Sequence, residues 1–107
     1  MIYLEVRWIH NLSDEPELIV SELDNDRNEI RKVEIFKNNR KGYADKDNSV
    51  NGSCLSEIPI PIVEEINSDN QFMAKEISRE RFEEIWNERQ EECICFLSIT
   101  VPDVTKV

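Results

Sequence analysis

The residue types that could do chemistry gather first near the start of the chain. His10 is the sole histidine, and Asp14 and Glu15 follow it by four and five positions. An imidazole that titrates near neutrality beside carboxylates can act as a general base or acid. The commoner role for such a group, a histidine at a strand end with carboxylates in a turn, is a structural hydrogen-bond partner next to a solvated loop. No second histidine supports it, and neither a nucleophile elbow of the G-x-S-x-G kind nor an H-E-x-x-H zinc pattern is present. Two glycines in 107 residues leave little material for a phosphate-cradling loop. No catalytic residue is therefore assigned, and His10, Asp14 and Glu15 form the fallback if the protein is an enzyme.

Two further patterns resemble metal sites and fail in detail. Asp24-x-Asp26-x-Asn28 has the opening of a calcium loop, but its sixth position is Glu29 instead of glycine and its twelfth is Ile35 instead of glutamate. It lacks both the turn and the bidentate ligand, so it reads as an acidic turn. Cys93-Ile94-Cys95 on a strand would set two thiols on one side about 7 Å apart, too far for a disulfide and awkward for one tetrahedral ion. These cysteines read as buried and inert. No metal and no cofactor is expected.

The third pattern is a run of acids. Glu80, Glu84 and Glu88 recur at i, i+4 and i+8, with Glu91 and Glu92 beyond them. On a helix they share one face, where like charges at that spacing repel by about 0.2–0.5 kcal/mol per pair. Acids at a helix C-terminus also oppose its dipole. A merely solvated acidic face is the plain reading; a cationic partner that relieves the repulsion is the functional one. Glu80, Glu84, Glu88 and Glu91 are the candidate partner-binding residues.

Overall charge bears on the same question. Acidic residues outnumber basic ones by 23 to 13, for a net charge of -10. That field opposes binding to nucleic-acid backbones and to anionic membranes, and it speeds encounter with a basic protein. No apolar run approaches the roughly 20 residues of a membrane span. The first seven residues lack the basic and small-residue features of a signal peptide. With three cysteines in no scaffold spacing, this points to free thiols in a reducing cytoplasm.

The elements that must position these residues follow from periodicity. Residues 2–9 alternate as a strand, with Ile2, Leu4, Val6 and Trp8 on one face and Glu5 and Arg7 on the other. Asp14-Glu15-Pro16 turns the chain into a second strand, 17–23, that is apolar on both sides. A third strand spans 29–37, and its break of period between Ile30 and Val33 signals a bulge near Arg31-Lys32. Asn38 to Lys41 form a hairpin turn before a short fourth strand, 42–44. Residues 45–57 read as a polar loop, and Ile58-Pro59-Ile60-Pro61 as a stiffened crossing or an exposed ridge. A short helix follows at 62–67, with Pro61 in its first turn. Residues 71–77 read as a connector or an edge strand.

Ser78 caps the best-signalled helix, 78–92, with Ile77 and Phe82 as a hydrophobic staple and Phe82, Ile85, Trp86 and Arg89 as its stripe. A last strand is expected at 93–101, beside the first. The whole is expected to be one α+β domain, 1–107: an antiparallel sheet of four to five strands, one main C-terminal helix on one face, and a short second helix.

The blocks Trp8-Ile9-His10 with Asp14-Glu15-Pro16, Ser21 to Asp24, Arg31 to Phe36 with Gly42-Tyr43-Ala44, and Glu76-Ile77-Ser78 leading to Phe82 and Trp86 resemble an uncharacterised family of small bacterial proteins. Its members run to about the length of residues 1–90. The resemblance implies a small α+β domain of bacterial origin and lends no catalytic residue. Taken with the charge, it leaves three expectations. The first is an immunity- or antitoxin-type protein that covers a basic toxin or nuclease. The second is an accessory protein-interaction domain, and the third an enzyme using His10 with Asp14 or Glu15.

Overall fold

The computed structural model describes residues 1–89. Six strands form one sheet: β1 (Ile2–Trp8), β2 (Leu18–Leu23), β3 (Glu29–Ile35), β4 (Lys41–Ala44), β5 (Ser49–Val50) and β6 (Phe72–Glu76). Two short helices complete it, α1 (Val63–Ile66) and α2 (Arg79–Asn87). The sheet order is β5-β4-β3-β2-β1-β6, antiparallel throughout. The α+β class stands, with six strands where four or five were expected.

Alternation sorts the side chains of β1 to β4 onto two faces. Tyr3, Val20, Val33 and Tyr43 point to α2 and form the main core with its buried Phe82, Ile85 and Trp86. Leu4, Ser21 and Ala44 point the other way, and all three are buried as well. The segment from Ser53 through α1 lies on that second face. Burial on both faces is why β2 reads as apolar on both sides.

The bulge in β3 is real and falls at Ile30: Leu23 faces Glu29 and Glu22 faces Arg31, leaving Ile30 unopposed. It has a chemical consequence, because it sends Glu29 to one face and Arg31 to the other.

Three boundaries differ from expectation. β5 sits inside the stretch read as a polar loop, in a two-residue pairing closed by Asn51 and Gly52, both at positive φ. The position beside β1 belongs to β6, so both sides of β1 are occupied and the expected last strand has no place there; residues 93–101 themselves lie outside the described region. α2 ends at Asn87 instead of Glu92 and is a nine-residue helix, not a main C-terminal one. Its stop has a local cause. The Arg89 guanidinium folds back, donates to the Trp86 carbonyl at 2.7 Å, and stacks on the Trp86 ring at 4.0 Å. Lys41 Nζ donates to the Glu88 carbonyl from β4 at 3.0 Å. These cations satisfy terminal carbonyls that another helical turn would have used.

Candidate functional site

α2 is fixed first at its start. Ser78 Oγ accepts from the Arg81 N–H at 3.0 Å, and Ile77 packs on the core one residue earlier. Its inner side carries an ion cluster. Arg31 donates to Glu22 through Nε at 2.5 Å and Nη2 at 3.0 Å, and to Glu83 through Nη1 at 3.3 Å and Nη2 at 2.7 Å. Its guanidinium lies 4.8 Å from the Phe82 ring centre and 5.0 Å from that of Trp86. Tyr3 Oη donates to Glu22 at 3.0 Å. The Arg31 hydrogen bonds hold the Glu22 carboxyl below the usual carboxylate range against the opposing effect of burial. Burial and the Glu22 carboxylate raise the Tyr3 phenol above its usual value. This cluster ties α2 to β1, β2 and β3.

The outer side of α2 is acidic and open. Glu80, Glu84 and Glu88 are all exposed. The only ion pair among them in the described residues joins Glu84 to Arg81 at 3.7 Å, with both side chains more than half exposed. Such a pair contributes little. Glu91 lies outside the described residues. Three of the four candidate partner-binding residues are thus open to solvent, Glu80 and Glu84 on α2 and Glu88 at its C-cap, while Glu83 on the same helix is committed to Arg31.

His10 has a different setting. Its Nε2 donates to the Pro16 carbonyl at 2.8 Å, and its Nδ1 accepts from the Leu12 N–H at 2.9 Å. The ring meets Trp8 edge-on at 4.5 Å. Both ring nitrogens therefore hold the main chain of the 9–16 loop. No hydrogen bond or ion pair links His10 to Asp14, which is exposed, or to Glu15, which is half-buried. The chain bends around an imidazole, and the carboxylates lie apart from it.

The acidic turns are closed by their own amides. Asp24 Oδ1 accepts from the Asp26 and Asn28 N–H groups, both at 2.9 Å. Asp45 does the same with Asp47 and Asn48 at 2.9 and 2.8 Å. These backbone hydrogen bonds lower both carboxyl pKa values. Among the described residues no group of three or more His, Cys, Asp or Glu side chains could hold a metal ion.

Sequence reasoning missed a second polar cluster, on the opposite face of the sheet. Glu29 is buried there; Oε2 accepts from Ser21 Oγ at 2.7 Å, and Oε1 accepts from the Ser56 N–H at 2.8 Å and pairs with Lys32 Nζ at 3.2 Å. It lies at the floor of a groove of about 460 Å³ roofed by the Ser56–Asp69 stretch. One signal was readable: Ser21 stands between Ile19 and Leu23 on a buried face. Glu29 was not readable, because the bulge reverses its side.

The fold and these surfaces define a class: a small antiparallel α+β domain with an acidic helix outside one face of its sheet and a roofed groove on the other. Within that class, a family model described as a domain of unknown function (DUF6881) matches residues 2–91, and the chain belongs to that family. Comparisons with curated proteins and with solved structures find no match. No helix among the described residues is long and apolar enough to cross a membrane.

Proposed function

We propose that this protein is a stoichiometric binding protein of the immunity or antitoxin kind, acting in the cytoplasm, and that it covers a basic surface of a toxin or nuclease with the outer side of α2. One observation carries the reading: Glu80 and Glu84 on α2 and Glu88 at its C-cap stand in solvent, while the helix's other acid, Glu83, is already neutralised by Arg31. The exposed Arg81–Glu84 pair offsets little of their mutual repulsion. A cationic partner surface removes that repulsion, and the net charge of -10 steers such a partner into contact. The main-chain duties of both His10 nitrogens favour binding over catalysis.

The test is co-expression with the product of the flanking gene. The proposal expects that product to be toxic alone and harmless with this protein, and the two to co-purify in a fixed ratio. A flanking product that is harmless alone, or a toxic one that remains free and active in the presence of this protein, contradicts it.

A further inference from the structure

We propose that the groove on the sheet face opposite α2 binds an organic cation with an apolar body, an alkylammonium of lysine side-chain size or larger. This goes beyond the reading above and rests on other residues. The groove's volume, about 460 Å³, falls in the range of small-ligand sites. Its floor is Leu4, Val6, Ile19 and, on β6, Phe72, and its roof includes Ile60 and Ile66. These walls accept an apolar chain.

The polar groups decide the head. At the floor, Ser21, Glu29 and Lys32 are committed to one another, and Lys32 Nζ also donates to the Cys54 carbonyl at 2.8 Å. Among the described residues, the one cation lining the groove is therefore spent. At the rim, the Glu65 carboxylate makes no hydrogen bond or ion pair within the described residues. Asp69 uses only Oδ1, which accepts from the Gln71 N–H at 2.9 Å. The uncommitted carboxylate oxygens are acceptors, so they match a donor that carries positive charge. An anion would meet three carboxylates against one paired lysine.

The roof is also pinned at both ends. Arg27 donates through Nε to the Ile60 carbonyl and through Nη2 to the Pro61 carbonyl, both at 2.7 Å, while the Ile60 N–H returns to the Arg27 carbonyl at 2.9 Å. At the other end the Asn67 amide holds the Ala74 main chain, donating at 3.0 Å and accepting at 2.6 Å. A groove fixed before binding spends little on ordering its walls.

The test is an amide NMR titration of the isotope-labelled full chain with hexylammonium, 1-hexanol, hexanoate and the peptide acetyl-Leu-Lys-Leu-amide. Hexylammonium should give saturating shifts at Leu4, Val6, Ile19, Ile66 and Phe72. Hexanol should bind about two- to fivefold more weakly, as expected for exposed carboxylates, and hexanoate more weakly still. The exposed double change Glu65→Gln with Asp69→Asn should erase the ammonium's advantage over the alcohol. Neutralising Glu80, Glu84 and Glu88 should leave it intact, which separates this proposal from the one resting on α2. Saturation by the peptide supports a lysine side chain of another protein as the natural source, and saturation by hexylammonium alone supports a free amine. Absence of saturable shifts with either amine overturns the proposal, as does equal binding of alcohol and ammonium.

Discussion

Replacing Arg31 with methionine removes one guanidinium from two carboxylates and two aromatic rings. The Glu22 side chain is 9% exposed and that of Arg31 20%, so this pair is largely out of water. Stranding one partner of a buried ion pair costs about 3–5 kcal/mol. Two partly buried guanidinium–ring contacts add about 1 kcal/mol each. Glu83 is 35% exposed and can turn to solvent, and the methionine packs on Phe82 and Trp86, which offsets part of the loss. The net expectation is about 3 kcal/mol in urea unfolding at pH 7, read by tryptophan fluorescence. Glu22→Gln in the Arg31→Met background should recover at least about 1.5 kcal/mol, because a neutral amide still accepts from Tyr3 and leaves no buried charge. The pH dependence has a defined sign. In the native protein the Glu22 pKa lies below its unfolded value, so its stabilisation is complete above the unfolded pKa and fades as pH falls through the folded one. Without Arg31, burial raises that pKa, and the penalty of the substitution shrinks as the carboxyl takes up a proton. A loss under about 0.5 kcal/mol at pH 7, or an equal loss at pH 7 and pH 4, refutes the reasoning.

Other outcomes follow from single contacts. A Cβ on Gly42 would press on Ser53 Oγ and stand 3.0 Å from the Val50 carbonyl oxygen, so Gly42→Ala should lower stability by about 1–3 kcal/mol in urea. The raised Tyr3 pKa adds stability that is fully present below the unfolded phenol value and is lost as pH rises through the folded one. Ultraviolet titration should accordingly show Tyr3 ionising later than free tyrosine, and Tyr3→Phe should remove that late step. His10→Ala releases Leu12 and Pro16 and should cost about 1–2 kcal/mol without changing partner affinity. Loss of binding in that variant at full stability would return weight to the 9–16 loop.

Strands β1 to β4 were legible because alternation and turn composition agree at Asp24–Asn28 and Asn38–Lys41. β5 was not legible, since two residues carry no period and their pairing depends on a positive-φ turn and on Asn51 donating from its amide to the Lys41 carbonyl at 2.7 Å. Periodicity extends the apolar stripe of α2 to Arg89, but Arg89 lies past the helix end at Asn87, where its guanidinium returns over Trp86. The acidic outer face was visible from i, i+4 spacing alone. The duty of Glu83 was not legible, because the Glu22–Arg31 pair it joins depends on the bulge falling at Ile30 and not at Arg31-Lys32. The third member comes from the helix, a contact spanning some fifty positions that local spacing does not encode. The groove was hidden for the same reason. Its walls come from β1, β2, β3, α1 and β6, and its buried acid changes side at one unopposed residue, Ile30.

The claim that α2 captures a basic partner rests most directly on association kinetics. Stopped-flow mixing with the flanking-gene product should give an on-rate that falls steeply with salt. Reversal of Glu80, Glu84 and Glu88 to lysine should lower that rate at least about tenfold at low salt and flatten its salt dependence. An on-rate and affinity unchanged by the triple reversal, at low salt and with the protein still folded, would contradict the account.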